Sequence, residues 1–264
     1  MDLELKGKTV FITGSTAGIG FATAKALLNE GVSVILNGRT SASVEAAIKR
    51  LEQTYPNETI SGIATDFSIK GEVNNLLENL PKIDVLINNV GVYSSGSFFE
   101  TDDAEWYRQF EVNVMSGVRL SKSILPRMLA NNWGRVLFIS SECASLTPPD
   151  LIAYSMTKAA ILAVSRGLAQ LTKGTNVTVN SIIPGSTLSE GAEQFIEDAA
   201  QKGQKTKDEI ENAFFIEVRT SSLLQRFAKV EEVADTIAYI ASPRSSATNG
   251  AAIKVDGGSS GGLF

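Results

Sequence analysis

Tyr154 and Lys158 are the first residues of the sequence whose types and spacing suggest chemistry. They lie four positions apart in a segment, 151–172, whose pattern predicts a helix, so the phenol and the ammonium group share one helix face. A free phenol has a pKa of about 10, but a cation at ~4 Å in an effective dielectric of ~20 favours the phenolate by ~4 kcal/mol. This lowers the pKa by at most about three pH units. The pair is therefore a candidate general acid and base, although an isolated pair at this spacing is usually an ordinary surface pair.

A serine hydroxyl close to this pair would hold a substrate oxygen beside the phenol. Ser140 and Ser141 both follow the predicted strand 135–139, and the sequence pattern alone does not separate them. Cys143 follows closely, but no imidazole or other activating group accompanies it. We therefore interpret Cys143 as a small buried side chain.

A glycine-rich loop indicates a second kind of chemistry, the binding of a phosphate-bearing cofactor. Its residues follow a predicted strand directly and open a predicted helix: Thr13-Gly14-Ser15-Thr16-Ala17-Gly18-Ile19-Gly20. Glycines in such a turn let the backbone approach a pyrophosphate held at the helix N-terminus, and the hydroxyls of Ser15 and Thr16 add donors. The spacing alone is more typical of an ordinary loop, but the position between a strand and a helix favours a nucleotide site.

The end of the second predicted strand indicates which dinucleotide would bind. No acidic residue occupies the turn Gly38-Arg39-Thr40, where a carboxylate normally binds the adenosine ribose. Arg39 suits a 2′-phosphate and favours NADP(H) over NAD(H), with Thr40 and Ser41 as candidate phosphate donors. The alternative is a solvent-exposed loop arginine. Asp66, after the third strand, is predicted either to accept from the adenine amino group or to cap the helix that follows.

The composition excludes several other chemistries. The 264-residue chain has no histidine and one cysteine, so we predict no imidazole-based triad, no metal site and no internal disulfide. A formal net charge of −5 speaks against a protein that coats nucleic acid. The acidic start and the lack of an apolar run of ~20 residues predict neither a secretory signal nor a membrane span. We therefore expect a cytoplasmic protein in which Tyr, Lys, Asp, Glu or a cofactor performs any acid–base chemistry.

Short β-branched runs alternate with longer helical patterns along the whole chain. The predicted strands cover 9–13, 32–37, 59–64, 84–88, 135–139, 177–182 and 252–255. The predicted helices cover 18–30, 41–55, 69–79, 103–131, 151–172 and 230–241. The strands are continuously apolar, which is typical of a parallel sheet that is covered on both faces. The predicted fold class is α/β, with helices on both faces of the sheet and a single domain over 1–264.

Residues 186–226 interrupt this alternation. We predict no strand there, because charged residues crowd the segment and only a few large apolar side chains, including Phe195, Phe214 and Phe215, accompany them. The segment is predicted to be either a solvated helical insertion or a mobile lid over a ligand. Its phenylalanines either contact an apolar substrate or anchor the lid helices to the rest of the domain.

Taken together, these residues resemble the short-chain dehydrogenase/reductase family, in the branch with compact subunits. The resemblance covers nearly the full chain and consists of motifs in a fixed order: Thr13-Gly-x3-Gly-Ile-Gly20, Asn88-Asn-Val-Gly91, Asn113, Ser141, Tyr154-x3-Lys158, Pro184-Gly185 and Val255-Asp-Gly-Gly258. It implies a doubly wound, mostly parallel Rossmann fold of about seven strands and nicotinamide-dependent chemistry at a carbinol or carbonyl. The family's serine has the same separation from the tyrosine as Ser141, so the resemblance selects Ser141 over Ser140.

The resemblance also implies a role for each site residue. Tyr154 is expected to be the general acid in reduction and the base in oxidation, while Lys158 lowers its pKa and binds the nicotinamide ribose. Ser141 is expected to orient the substrate oxygen, and Asn113 to hold a water that extends the proton relay. The expected cofactor-binding residues are Gly14, Ser15, Thr16, Gly18, Ile19, Gly20, Arg39, Thr40, Asp66, Phe67, Asn88, Gly91, Tyr154, Lys158, Pro184, Gly185, Thr187 and Ser189.

Some positions are structural or depart from the family pattern. Asn89 is expected to join neighbouring strands. Val90 stands where alanine is usual and is expected to narrow the groove near the adenosine half. Ala17 stands where a basic residue is frequent, so Arg39 carries most of the preference for NADP(H). Ser189 replaces a threonine that bonds the cofactor carboxamide, and Thr187 is the alternative donor.

The predicted function is therefore an NADP(H)-dependent oxidoreductase that interconverts a carbonyl and an alcohol by hydride transfer. A 3-oxoacyl thioester reductase is the first specific activity to test, and a non-catalytic protein that senses NADP(H) is the alternative class. We expect a homo-oligomer, a dimer or a tetramer, with a small-molecule substrate and neither a nucleic-acid nor a membrane partner. In related tetramers the C-terminus lies near a neighbouring subunit, so Leu263 and Phe264 are expected to complete an interface or a pocket.

Overall fold

The strands lie close to their predicted positions. A computed structural model describes residues 1–262 of the protein, so the expectation for Leu263 and Phe264 lies outside the described residues. The strands are β1 (Thr9–Ile12), β2 (Ser33–Gly38), β3 (Ile60–Ala64), β4 (Val85–Asn88), β5 (Gly134–Ile139), β6 (Val177–Pro184), β7 (Thr187–Leu188), β8 (Ala228–Lys229) and β9 (Ala252–Val255). All seven predicted strands are present, and β7 and β8 are additional.

Seven of the strands form one parallel sheet in the order β3-β2-β1-β4-β5-β6-β9. β1 is the pivot of this order, because it pairs with β2 through Ile12 and Leu36 and with β4 through Ile12 and Ile87. The chain winds to one edge from β1 and to the other from β4, so the sheet is doubly wound and its order reverses between these two strands. This confirms the predicted fold class. In such sheets ligands bind outside the carboxyl ends of the strands at this reversal.

Helices cover both faces of the sheet. They are α1 (Gly18–Leu28), α2 (Ser41–Glu52), α3 (Lys70–Asn79), α4 (Asp103–Phe110), α5 (Ser116–Ala130), α6 (Cys143–Leu146), α7 (Ile152–Leu171), α8 (Glu190–Gly203), α9 (Lys207–Ala213) and α10 (Val230–Ile240). Apolar side chains of α1, α2 and α10 form the core on one face, and those of α3, α5 and α7 form the core on the other. Burial on both faces explains why the strands read as continuous apolar runs. No helix within residues 1–262 is long and apolar enough to cross a membrane.

The helix predicted over 103–131 is divided in the structure. A π-helical turn, Glu111–Met115, separates α4 from α5, and Asn113 lies in its middle. Single π-helical turns inserted in longer helices are rare and are frequently found at functional sites. The π-helical turn therefore indicates that Asn113 lies at a functional site. The helical periodicity of the sequence does not predict this turn.

Residues 186–226 are mostly helical, but the prediction that they contain no strand is wrong. Thr187 and Leu188 of β7 pair in parallel with Ala228 and Lys229 of β8. A two-residue strand depends on a partner forty positions away rather than on its own residue pattern, which is why the sequence does not reveal it. The rest of the segment consists of α8, α9 and a second π-helical turn, Phe214–Val218.

The phenylalanines of this segment have different environments. Phe214, Phe215 and Phe227 pack against one another with ring centroids 5.0 to 5.1 Å apart, and Phe215 is only 2% exposed. Phe195 is 66% exposed. Because Phe227 directly follows 186–226, the aromatic cluster packs the second π-helical turn against the end of the segment, and both predicted roles of the phenylalanines stay predictions.

Candidate active site

The turn after β1 presents its backbone to the edge of the sheet. Gly14 and Gly18 have φ angles of +60° and +56°, which favour glycine. A Cβ atom at Gly20 would lie 2.5 Å from the carbonyl oxygen of Gly14, so no larger residue fits there. The N-cap of α1, Ala17, offers no side-chain acceptor, so the first amides of the helix are left for another partner. The turn and the helix start together form a place where an anion can bind.

Ser15 does not face this place, in contrast to what the resemblance implies. Its side chain is fully buried, its hydroxyl donates to the Ile12 carbonyl at 2.8 Å, and it accepts from the Asn37 backbone N–H at 2.9 Å. The hydroxyl therefore fixes β1 to β2 and is not available to a ligand. Thr16, by contrast, lines the cavity described next.

A cavity of about 370 Å³ lies over the carboxyl ends of β1, β2 and β4, where the strand order reverses. Arg39, Asp66 and Phe67 line it, and Val90 narrows it. Within residues 1–262 the Arg39 side chain makes no hydrogen bond or ion pair. The hydrogen bond from Ser68, together with the nearby Arg39 charge, lowers the pKa of Asp66. The cavity thus holds a cation free to meet an added anion.

Asp66 and Thr40 are both engaged in local turns. Oδ1 of Asp66 accepts from the N–H and the hydroxyl of Ser68, and α3 begins after Ile69, so Asp66 does not cap that helix. The Thr40 hydroxyl accepts from the Ser43 N–H and caps α2. Asp66 lines the cavity in spite of its turn, whereas Thr40 does not.

Of the two asparagines at the end of β4, Asn89 and not Asn88 lines the groove. Asn89 donates to the carbonyls of Thr13 and Gly14 at 3.0 and 2.8 Å and also lines the cavity. Asn88 is 7% exposed and does not line it, and neither atom of its amide has a hydrogen-bond partner within residues 1–262. Asn89 is therefore structural, as expected, but it also belongs to the groove wall that Asn88 was expected to form.

A second cavity of about 560 Å³ continues from the first. The two share Ala17, Asn89 and Gly91, so they form one groove across the sheet edge. Other expected site residues line the second cavity: Gly18, Ile19, Ser141, Tyr154, Lys158, Pro184, Gly185, Thr187 and Ser189. At Gly185 a Cβ atom would lie 2.7 Å from the Asp256 backbone, so a residue with a side chain does not fit at this position below the groove.

Tyr154 and Lys158 of α7 come together on the wall of this second cavity. The Lys158 ammonium lies 5.5 Å from the Tyr154 ring centroid and donates to the Ile139 carbonyl at 2.9 Å. Ser141 forms a hydrogen bond with Tyr154 and lines the cavity. Ser140 is turned the other way, because its hydroxyl donates to the Lys158 carbonyl at 2.8 Å. The structure thus gives Ser141 the position beside the phenol and gives Ser140 the task of holding α7 against β5.

Burial dominates the electrostatics of this pair. It raises the pKa of Tyr154 well above its ordinary value, and the hydrogen bond with Ser141 offsets part of the rise. It lowers the pKa of Lys158 to about 8. The expectation that the ammonium lowers the pKa of the phenol is therefore not met, because desolvation of the phenolate sets the direction of the shift. Tyr154 holds its proton at neutral pH, as a proton donor must.

Asn113 acts as a clamp. Its Oδ1 accepts from the Val92 N–H at 2.7 Å, and its Nδ2 donates to the Val92 carbonyl at 2.8 Å and to the Thr157 hydroxyl at 3.0 Å. Both N–H groups and one acceptor position of its amide are therefore used by the loop after β4 and by α7. Gly91 lies between Asn113 and Lys158, because a Cβ atom there would be 3.7 Å from Oδ1 and 3.3 Å from Nζ.

Several side chains of the groove carry no signal in the sequence. Glu142, Glu190 and Arg219 line the second cavity, and Arg108 lines the first. The Tyr93 ring lies 5.8 Å from that of Tyr154. Except for Arg108, which pairs with Glu105 of the same helix, these residues make contacts with distant parts of the chain that residue type and spacing do not encode. Among residues 1–262, no group of three or more Asp, Glu or Cys side chains is placed to hold a metal ion.

A doubly wound sheet with a glycine turn at its reversal, and with Ser141, Tyr154 and Lys158 on one wall, defines an oxidoreductase of the Rossmann type. The chain belongs to the short-chain dehydrogenase/reductase family, whose short chain dehydrogenase model matches residues 8–200. It is 47% identical over 261 residues to the oxidoreductase YvrD of Bacillus subtilis (strain 168), covering 98% of both chains.

Two further relatives have named activities. The chain is 30% identical over 261 residues to 5-keto-D-gluconate 5-reductase of Escherichia coli (strain K12), covering 97% of this chain and 96% of the other. Among solved structures, it resembles L-sorbose reductase of Gluconobacter frateurii, determined in complex with NADPH and L-sorbose. That likeness has a TM-score of 0.92 at 28% identity and covers 100% of both chains.

Proposed function

We propose that the protein is an NADP(H)-dependent reductase that converts a ketone to a secondary alcohol, with Tyr154 as the general acid. One observation carries this proposal: Ser141, Tyr154 and Lys158 lie on the wall of a cavity that continues into the glycine-turn groove. A substrate and a dinucleotide can therefore meet at the phenol. Tyr154 is protonated at neutral pH, so it has the proton that an alkoxide oxygen needs in the reductive direction.

The groove fits NADP(H) in its chemistry. The glycine turn and the start of α1 suit a pyrophosphate, and Arg39, whose side chain makes no hydrogen bond or ion pair within residues 1–262, suits the adenosine 2′-phosphate. L-sorbose reductase, which shares the fold, binds NADPH. NADPH, when bound, supplies the hydride. NAD(H) remains the alternative cofactor, because a 2′-hydroxyl would also fit beside Arg39.

The residues of the chain divide the remaining tasks. Ser141 holds the substrate oxygen beside Tyr154, and Tyr154 transfers its proton to that oxygen as negative charge develops there. Lys158, fixed by the Ile139 carbonyl, places a positive charge near the phenol and stabilises the phenolate that forms. Asn113 holds the loop that carries Val92, and we propose that any water it positions joins this relay.

Residues 186–226 are proposed to act as the substrate lid of a single domain, 1–264. Ser189, Glu190 and Arg219 of this segment line the second cavity, and Phe215 packs against Phe227. A segment that carries cavity residues is suited to close over a ligand.

The test is oxidation of NADPH by the purified protein with a panel of carbonyls: a ketose, a keto sugar acid, a simple ketone and a 3-oxoacyl thioester. The ketose and the sugar acid are included because two relatives act on such compounds, and the thioester tests the activity predicted first. We expect turnover that Tyr154→Phe lowers by a factor of about 10²–10⁴ while the affinity for NADPH stays within about twofold. Tyr107→Phe, at a tyrosine 73% exposed, is the matched control.

Two results would contradict the proposal. Undiminished turnover in Tyr154→Phe would remove the assigned acid. Tight NADPH binding without turnover of any carbonyl would favour the alternative, a protein that senses NADP(H), which needs the groove but not the acid.

A further inference from the structure

The residue after Ser141 is a buried glutamate that is incompletely paired. Glu142 is 2% exposed and lines the second cavity. Its Oε1 accepts from Arg219 Nε at 2.7 Å and from the Ser186 hydroxyl at 2.9 Å. Its Oε2 has no hydrogen-bond partner within residues 1–262 and almost no exposed surface. Oε1 of the carboxylate thus accepts two hydrogen bonds, whereas Oε2 accepts none within residues 1–262.

Such an arrangement is costly. A buried charged group that lacks a partner loses the hydrogen bonds it would make to water, and the pairing of its other oxygen does not restore them. The backbone nevertheless holds Glu142 firmly, because its N–H donates to the Pro184 carbonyl at 2.8 Å. Oε2 of Glu142 is therefore a fixed hydrogen-bond acceptor without a donor, at the residue next to Ser141.

Arg219 supplies the opposite capacity. It follows the π-helical turn of the lid, and only its Nε makes a short hydrogen bond. Its two amino groups lie 3.5 Å from the Val218 carbonyl and 3.9 Å from the Cys143 sulfur, at or beyond the limit of useful hydrogen bonds. Arg219 and Glu142 line the same cavity, so the unused donors of one and the unused acceptor of the other belong to residues that are already joined through Nε and Oε1.

We propose that Glu142 and Arg219 bind a hydroxyl group of the substrate on the carbon next to the one that reacts. A hydroxyl both donates and accepts, so it can donate to Oε2 of Glu142 and accept from an amino group of Arg219. A substrate carboxylate would bond to Arg219 but would face Oε2 with like charge. The pair therefore favours α-hydroxy ketones and vicinal diols over keto acids and over thioesters, which lack this hydroxyl. Since Oε2 is covered, the Arg219 side chain must turn to admit the ligand.

This inference rests on the proposed function, and its test uses binding rather than turnover. Hexane-1,2-diol and hexan-2-ol are titrated calorimetrically into the wild-type protein saturated with NADPH, in which an alcohol has no hydride acceptor. We expect the diol to bind at least tenfold more tightly, as for a hydrogen bond to a charged group. Glu142→Gln replaces the free acceptor by a donor, and it should bring the two affinities within about twofold without weakening hexan-2-ol.

Two further variants keep the test decisive. Arg219→Lys retains a cation beside Glu142 but removes the two Nη groups of the guanidinium. It should reduce the preference for the diol at least threefold, and it tests the proposal even if Glu142→Gln unfolds. Glu197→Gln removes one member of an exposed lid ion pair with Lys207, and it should leave the preference unchanged. Thermal unfolding confirms that each variant is folded.

The outcomes separate this inference from the proposed function. Equal affinity of the wild type for both alcohols, or a preference that survives in folded Glu142→Gln, would overturn the inference and show the pair to be structural. Binding of a 2-hydroxy acid that needs Arg219 but not Glu142 would also overturn it. Glu142-dependent binding of the diol without turnover of any carbonyl would contradict the proposed function alone.

Discussion

The Glu190 carboxylate accepts a 2.7 Å hydrogen bond from the backbone N–H of Gly18, the first residue of α1. Glu190 itself is the first residue of α8, so this bond joins the proposed lid to the glycine turn. Negative charge at a helix N-terminus is stabilised by the helix dipole, and a pyrophosphate would use the same amides. Glu190 therefore occupies the position of the anion that we propose for the cofactor.

Removing this charge should tighten cofactor binding. In Glu190→Gln the helix start no longer favours the side chain over a pyrophosphate, and a charge near a helix terminus contributes about 0.3–1 kcal/mol. We therefore expect the Kd for NADPH to fall about two- to fivefold in a fluorescence titration. Glu193→Gln, one turn further along α8, is the control and should leave the Kd unchanged. A weaker affinity in Glu190→Gln would show that Glu190 helps to close the groove instead.

Arg39 should decide the choice between cofactors. Its guanidinium lines the first cavity and makes no hydrogen bond or ion pair within residues 1–262, although its charge acts on nearby Asp66, so its donors can bind an added phosphate. Loss of a charge-assisted hydrogen bond costs about 1.5–3 kcal/mol, so Arg39→Ala should weaken NADPH binding about 10- to 150-fold and leave NADH nearly unaffected. Arg127→Ala, which removes the same charge from the exposed side of α5, controls for the change in net charge. Equal losses for the two cofactors would show that Arg39 does not read the phosphate.

The fold was predictable because its strands carry a local signature. β1, β4, β5 and β6 are buried along their whole length or nearly so, and each contains a run of apolar residues between turns, although β5 and β6 also include polar residues. Helix and strand then alternate, which leaves a doubly wound sheet as the natural arrangement. The glycine turn was also predictable from a local signature. Glycine is required where two parts of the backbone approach closely, as Gly20 does to the Gly14 carbonyl.

The parts that sequence reasoning missed all depend on long-range contacts. The burial of the Ser15 hydroxyl is set by Asn37, and the short strand β7 by β8. The pairing of Glu142 with Arg219 joins residues 77 positions apart. The pKa of Tyr154 was predicted from one nearby charge, whereas desolvation by the whole surrounding wall decides its direction. None of these effects leaves a pattern in neighbouring residues.

Lys158 should make the protein's stability depend on pH. Burial lowers its pKa from an ordinary value near 10.5 to about 8, so between these values the unfolded chain binds the proton that the folded chain has lost. The free energy of unfolding should therefore rise with pH from about 8 toward 10.5, by up to about 3 kcal/mol from this group. Lys158→Met removes the buried charge, so it should be more stable than the wild type at pH 7 by about 1–3 kcal/mol although inactive.

Chemical denaturation of both proteins at pH 7, 8, 9 and 10 measures this difference. The advantage of Lys158→Met should shrink steadily across the series as the wild-type ammonium loses its proton in the folded state. Lys173→Met, at an exposed lysine, should show no such trend. An advantage that stays constant with pH would show that the folded protein carries Lys158 charged without strain.

Asn113 should matter for stability as well as for turnover. Its amide makes three hydrogen bonds, one buried with Thr157 and two partly buried with the Val92 backbone, and Asn113→Ala removes all of them. A buried group that is left unsatisfied costs about 1–3 kcal/mol, so we expect a loss of about 1–3 kcal/mol in denaturant unfolding together with a lower kcat. Asn79→Ala, which removes an exposed amide bonded to Asn75, should change stability by less than about 0.5 kcal/mol. If kcat falls while stability is unchanged, the main task of Asn113 is to hold a water of the proton relay rather than to clamp the loop after β4.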